Sequence, residues 1–223
     1  MKKYIDLLKK TRLFCEMTEE DIISMLKCLS ASKREYKKGD CIYSAGDAVS
    51  KAAMVVEGAV HIERQDYWGN NSILSEISPG EIFGEVHAIT DNEPIAVNAI
   101  AAKTCTVIML DMKKVLETCT SICPHHGALI KNLIFVLALK DRELTDKLGY
   151  LSQRTTRDKL LAYLSDRSVK QGGAAFDISF NRQQLADFLA VDRSALSKEL
   201  GKLRSEGIIE FKKNYFELKE GRQ

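Results

Sequence analysis

Five side chains near the end of the chain, Arg193, Ser194, Ser197, Lys198 and Lys202, are hydrogen-bond donors gathered within ten residues at helical spacing. A guanidinium can bond bidentately to a guanine edge, a hydroxyl can meet either kind of base edge, and an ammonium suits a phosphate. Asn181, Arg182 and Gln183, a dozen residues earlier, add donors that could lie beside the same duplex. The chemistry on offer is recognition rather than bond making. No Ser-His-Asp, P-loop or paired-carboxylate arrangement stands out. The four histidines, His61, His87, His125 and His126, include no H-x-H pair of the kind a cupin metal site needs. An enzyme is therefore not expected.

Something must hold those donors outward, and the surrounding residues supply it. Asn181 can cap a first helix by accepting from the free amides of its first turn. Leu185, Phe188 and Leu189 then share one face, with Ala186 small enough for a second helix to cross closely. Ala190 and Val191 make the turn, Asp192 caps the second helix, and Leu196, Leu200 and Leu203 repeat along its inner face. Two amphipathic helices with a basic outer face are common. What sharpens the reading is the continuation: Gly207, Ile208 and Ile209, a basic turn at Lys212 to Asn214, then a second strand over Tyr215 to Leu218. Helix, turn, helix and a basic-tipped hairpin together form a winged helix-turn-helix, a double-stranded DNA reader.

The net charge of +2 becomes informative once it is divided. Residues 151–223 hold 14 Lys and Arg against 10 Asp and Glu, and the remaining residues carry 19 against 21. The basic surplus lies with the helix-turn-helix, where a phosphate backbone would need it. The start of the chain carries no apolar signal core. The longest apolar run, Leu133 to Leu139, falls far short of the ~20 residues that span a bilayer, so a cytoplasmic protein without membrane contact is expected.

Upstream the texture changes twice. Residues 4–30 look helical, with Thr18 and Asp21 placed as a capping box before Ile22, Ile23 and Leu26. From about Lys33, short β-type runs are cut by Gly39, Gly46, Gly58, Gly69, Gly80 and Gly84. The runs are Cys41–Ser44, Ala52–Val56, Ala59–Glu63, Ser72–Ile77, Ile95–Ala101 and Thr104–Leu110, with WGNN at 68–71 as a hairpin turn. Such spacing indicates a β-sandwich or barrel. After Met112 a long helix is expected from about Pro124 to Leu148. Ile130, Ile134, Leu137, Leu144 and Leu148 line one face, broken once at Asp141, and Leu129, Leu133 and Val136 line another. A helix apolar on two sides needs two partners, here taken as the β-domain and the same helix of a second copy. Gly149 is the expected hinge, and a further helix is expected over about Thr155–Ser168.

This order of parts resembles the Crp/Fnr family of bacterial transcription regulators, on KKGDCIYSAGD at 37–47, VVEGAVHI at 55–62, SPGEIFGE at 78–85 and the helix-turn-helix. The resemblance covers nearly the whole chain. It implies an α+β architecture: an N-terminal double-stranded β-helix (a jelly roll of the cyclic-nucleotide-binding type), a long dimerisation helix and a C-terminal winged helix-turn-helix. Domains are expected over 1–122, 123–149 and 150–223. The implied partners are a palindromic operator, a second copy of the chain and RNA polymerase. The implied base-reading positions are Arg193, Ser194, Ser197 and Lys198. The family often has Glu where Ser194 stands, so a different half-site preference is expected.

Family members that bind cyclic AMP carry a phosphate cassette opened by Gly-Glu and completed about ten residues later by Arg-Ser. Gly84 and Glu85 match the opening, but Ile95 and Ala96 stand where Arg and Ser should. A buried phosphate without a cation costs several kcal/mol, which argues against cyclic AMP. A pocket of Gly84, Glu85, Val86, Ile95 and Ala96, closed by Leu144 and Thr145 of the long helix, would suit a less polar, unidentified effector. An empty pocket, or a redox or metal input, are the alternatives.

Of the six cysteines (15, 28, 41, 105, 119 and 123), none forms C-x-x-C, and Cys15 and Cys28 are too far apart for an iron–sulfur motif. Cys119, Cys123, His125 and His126 could be imagined around zinc, but their spacing matches no standard site. Reduced structural thiols and a solvated histidine pair are expected, with no bound metal. His87 as a haem ligand is the remaining alternative.

Overall fold

The computed structural model describes residues 2–69, 71–90, 94–116 and 125–219. The chain divides into two compact units, Met1–Lys140 and Asp141–Gln223.

In the first unit a 3-10 turn at Lys2–Tyr4 leads into α1 (Ile5–Leu8), and α2 follows at Glu19–Cys28. The helical start is thus broken into short pieces rather than running continuously to residue 30. Thr18 starts α2 with a reciprocal cap: its hydroxyl oxygen accepts from the Asp21 amide at 3.3 Å, and the Asp21 carboxylate accepts from the Thr18 amide at 2.9 Å. The bond from the Thr18 amide, and then the Thr18 hydroxyl, hold the Asp21 carboxyl below its ordinary pKa. Thr18→Ala is expected to lower stability by about 1 kcal/mol, measured as a shift in the urea midpoint at constant slope.

The strands are β1 (Ser32–Tyr36), β2 (Cys41–Tyr43), β3 (Ala52–Glu57), β4 (Val60–Gln65), β5 (Asn71–Ile77) and β6 (Ile82–Phe83). After α3 (Glu85–Ile89) come β7 (Asn98–Ala101), β8 (Cys105–Leu110) and α4 (Lys113–Leu116). They form two four-stranded antiparallel sheets, ordered β1-β8-β3-β6 and β2-β7-β4-β5. The expected strand from Ile95 begins only at Asn98. Ile95 instead exchanges backbone bonds with Gly46 and Asp47 while its side chain is buried.

β3 and β8 are buried on both faces. Val55, Val107 and Met109 face the inside of the roll with Val60 and Ala99. Met54, Ile108 and Leu110 face the helices, against Phe14, Met25 and Leu133. Gly58 joins β3 to β4 with φ +86°, where a Cβ would stand 2.4 Å from the Thr104 carbonyl oxygen. No other residue fits there without moving backbone.

The long helix α5 runs His125–Leu151. In the first unit its Leu129 and Leu133 enter the helical side of the core. Between them Asn132 is buried, and its amide donates to the carbonyls of Leu13 and Cys15 at 3.1 and 3.0 Å. α5 continues through Gly149 without a break. A lone glycine inside a helix costs about 1 kcal/mol against alanine but does not end it, so the expected hinge is not marked by a helix break at that residue.

In the second unit the end of α5 is followed by α6 (Thr156–Gln171), β9 (Ala175–Asp177), α7 (Arg182–Leu189), α8 (Arg193–Ser205), β10 (Ile209–Lys212) and β11 (Tyr215–Leu218). The strands form a sheet ordered β10-β11-β9. Leu160, Tyr163 and Leu164 of α6 are buried with Leu185, Phe188 and Leu196, and Phe188 packs on Tyr163 and Phe180 at ring separations of 5.5 and 4.9 Å. The Lys147 ammonium lies 3.9 Å from the centre of the Phe188 ring, and burial pushes its pKa down to about 8.

Above about pH 8 the folded chain sheds this proton, while the unfolded chain keeps it until near 10.5. Stability from this group therefore rises with pH across that window. Lys147→Met should remove that rise, about 1 kcal/mol once partial exposure to water is counted. The check is the difference in denaturation midpoint between variant and parent at pH 7.5 and pH 10.

No helix among the described residues is long and apolar enough to cross a membrane.

Candidate nucleic-acid interface and effector site

α7 and α8 are each started by the residue that the local pattern nominates. The Asn181 side chain accepts from the Gln184 amide at 3.0 Å, and the Gln184 side chain accepts from the Asn181 amide at 2.8 Å. Asp192 accepts from the amides of Ser194 and Ala195 at 2.8 and 3.0 Å and also from the Ser194 hydroxyl. The Ser194 hydroxyl, and then those amides, hold the Asp192 carboxyl below its ordinary pKa. Ala190 takes a left-handed conformation (φ +49°) to close the turn between the helices.

With Leu196, Leu200 and Leu203 buried beneath, the outer face of α8 presents Arg193, Ser197 and Lys198 to solvent, and none of the three bonds another described side chain. Ser194 and Lys202 lie on the same exposed side but are engaged, Ser194 with Asp192 and Lys202 with Glu199 at 2.7 Å. Lys198 and Lys202 also line an open cleft with Thr155, Thr156 and Arg157 at the start of α6. Local sequence patterns did not reveal this neighbour, because it lies more than forty residues from the lysines. Glu199 lines the same cleft and is paired with Lys202, and Arg157 is paired with Glu206, so Lys198 is the lining cation with no described side-chain partner beside the start of this helix.

The earlier donors separate. Asn181 and Gln183 are exposed, the latter bonded to Asp187 at 2.8 Å. Arg182 instead lies over the rings of Phe211 and Phe216, 4.9 and 5.0 Å from their centres, and burial lowers its pKa. It anchors the wing rather than projecting outward. The wing tip, with Lys212 and Lys213, is exposed, and Lys213 takes positive φ.

Within the first unit, the residues expected to line an effector pocket differ in burial. Ile95 is buried in the core shared with the helices, whereas Val86 and Ala96 are exposed. Leu144 and Thr145 are exposed and belong to the second unit. Gly84 does open the segment in a left-handed conformation (φ +74°), with the Tyr43 ring so close that a Cβ would meet it at 3.2 Å. Burial pushes the Tyr43 phenol up. Glu85, almost fully buried, meets a residue that the sequence reading missed: the Lys140 ammonium, 2.6 Å from its Oε1 and also bonded to the Ile82 carbonyl.

Cys119 and Cys123 lie outside the described residues. His125 and His126 turn to different partners: His125 to Asp21 at 3.1 Å and His126 to Cys28 at 3.5 Å. His87 is half-buried on α3. Among the described residues no three His, Cys, Asp or Glu side chains converge on one point suited to a metal.

Residues 33–121 match the cyclic nucleotide-binding domain family, and residues 158–220 match the Crp-like helix-turn-helix domain family. The chain is 26% identical over 214 residues to the cyclic AMP receptor protein of Thermus thermophilus, covering 96% of this chain and 94% of that one. It is 22% identical over 182 residues to the transcriptional activator protein FnrL of Cereibacter sphaeroides, covering 79% and 71%. Among solved structures, a CooA mutant from Carboxydothermus hydrogenoformans superposes with TM-score 0.74 at 19% identity, covering 92% of this chain and 88% of that one. The Thermus thermophilus catabolite activator protein does so with TM-score 0.52 at 25% identity, covering 94% of each.

Proposed function

The chain belongs to the Crp/Fnr family of transcription regulators, with no enzymatic role, and from that premise we propose that it binds a twofold-symmetric operator as a homodimer and is gated by a small effector other than a cyclic nucleotide. The observation that carries the DNA reading is the outer face of α8, where Arg193, Ser197 and Lys198 stand exposed and uncommitted on a helix capped at Asp192. In this reading Arg193 and Lys198 meet base edges. Lys202 and the start of α6 meet phosphate, and the wing lysines meet the adjacent backbone. Ser194 contributes to base recognition only where its hydroxyl leaves Asp192. Arg182 positions the wing.

The homodimer is supported by apolar side chains that α5 leaves uncovered: Ile134 at 62% exposure, Phe135 at 51%, Leu144 at 57% and Leu148 at 67%. Ile134 and Leu148 are fourteen residues apart, two full heptads, as a self-pairing helix requires. Two copies so joined would present recognition helices about 34 Å apart, one turn of B-DNA. A domain division follows in which the roll with its helices senses, α5 pairs, and α6 onward reads DNA.

Against a cyclic nucleotide stands the chemistry at positions 95 and 96. Neither Ile95 nor Ala96 carries a charge or a side-chain donor for a phosphate, and Ile95 already fills core space. Selection from a randomised DNA pool tests the central reading. Recovery of an inverted repeat with half-sites about ten base pairs apart supports it, and recovery of no preferred sequence at 0.15 M salt overturns it.

A further inference from the structure

The contacts of Lys140 describe a receptor as much as an ion pair. Two oxygens, the Ile82 carbonyl and Oε1 of Glu85, converge on one ammonium. Both are acceptors, and the segment between them contributes Gly84, held open against the Tyr43 ring. The two charged partners differ in freedom. The Glu85 side chain is 4% exposed, whereas that of Lys140 is 28% exposed on a flexible stem. Removing a cation from a buried carboxylate is expensive unless another donor replaces it. The fixed half of the site is therefore the acceptor pair, and the exchangeable half is the amine.

We propose that Glu85 and the Ile82 carbonyl form a binding site for a primary ammonium group, filled in the free chain by its own Lys140, and that the effector is an organic amine that takes Lys140's place. This rests on the reading of the β-roll as ligand-gated and assigns the ligand its chemical class. An anionic ligand is disfavoured, because its charge would face the Glu85 carboxylate and because Ile95 and Ala96 bring no donor. Lys140 is also the last residue of the first unit, and α5 runs on from it into the second. Exchange of its ammonium for a free amine would undo a tie between the long helix and the roll at that boundary. Such a tethered occupant competes with any ligand at a high effective concentration, which lowers the ligand's apparent affinity until the tether is cut.

The test uses the full chain and n-propylamine, which carries the three carbons and the nitrogen that Lys140→Ala deletes. By calorimetry, propylamine should bind Lys140→Ala at least tenfold more tightly than it binds the parent protein. The added change Glu85→Gln should abolish that gain, and propionate should bind neither. If Lys140→Ala is too unstable for calorimetry, propylamine should raise its melting temperature while tetramethylammonium, which has no N–H, leaves it unchanged. Equal propylamine affinity for parent and variant overturns the proposal. So does propionate binding to the parent that is lost in Lys140→Ala, which would make Lys140 a receptor for anions. A protein that selects an operator yet ignores amines refutes only the amine site, whereas loss of operator selection refutes the DNA-binding function itself.

Discussion

The double variant Ile134→Glu, Leu148→Glu is expected to sediment as a monomer and to lose at least about a hundredfold in affinity for a complete inverted-repeat operator. Both side chains are more than half exposed on α5, so neither glutamate leaves a cavity in the subunit. Each places a carboxylate where the helix is taken to meet its copy, and like charges facing each other across a pairing seam repel as the apolar contact is lost. The DNA penalty follows from linkage. Once one half-site is bound, a tethered second reader works at high effective concentration, an advantage of about 10²- to 10⁴-fold that vanishes when the subunits separate. Binding to an isolated half-site should stay within about threefold of the parent on the same avidity argument, because no residue of α8 has changed. A variant that remains dimeric at micromolar concentration would place the pairing surface elsewhere.

The second large effect is expected at Arg193. Replacement by alanine should cost about 1–3 kcal/mol on the preferred operator, roughly 5- to 150-fold, and relax the preference at one base pair in each half-site. Arg193 bonds no other described side chain, so its loss removes contacts to DNA without leaving a broken intramolecular bond. A selection repeated with the variant reads both quantities, and an unchanged preference at every position would remove Arg193 from the reading set. Lys202→Ala makes the contrast. It should weaken all sequences alike and reduce the salt slope by at most about one, since in the free protein Lys202 is paired with Glu199 and part of its charge is already answered.

What could be read from sequence follows the range of the interactions. The helix starts of the helix-turn-helix were legible because their determinants are local: Asn181 and Asp192 each bond amides two or three positions away. Most strands of the roll were legible because glycines with positive φ separate them, as at Gly58 and Gly69. β1, with the sequence SKREY, is almost entirely exposed, so no apolar alternation marks it, and β6 is only two residues long. Ile95 looked like the start of a strand because an isoleucine buried in a loop has the same composition as one in a sheet. Lys140 was illegible for a different reason. On a helix it passes for a solvated residue, and its carboxylate partner lies 55 positions earlier. Arg182 likewise passes for a DNA contact until the wing folds back and places two phenylalanines under it.

The two-faced strands β3 and β8 bear on how the first unit comes apart. Alternate residues of each strand insert into the roll interior and into the helical collar, so those two strands form a party wall. Neither room can be emptied while its neighbour stays furnished. Opening should therefore be concerted, with the amides of the shared wall the last to exchange with deuterated solvent. The helical side of that wall shares its buried cluster with Leu129 and Leu133 of α5.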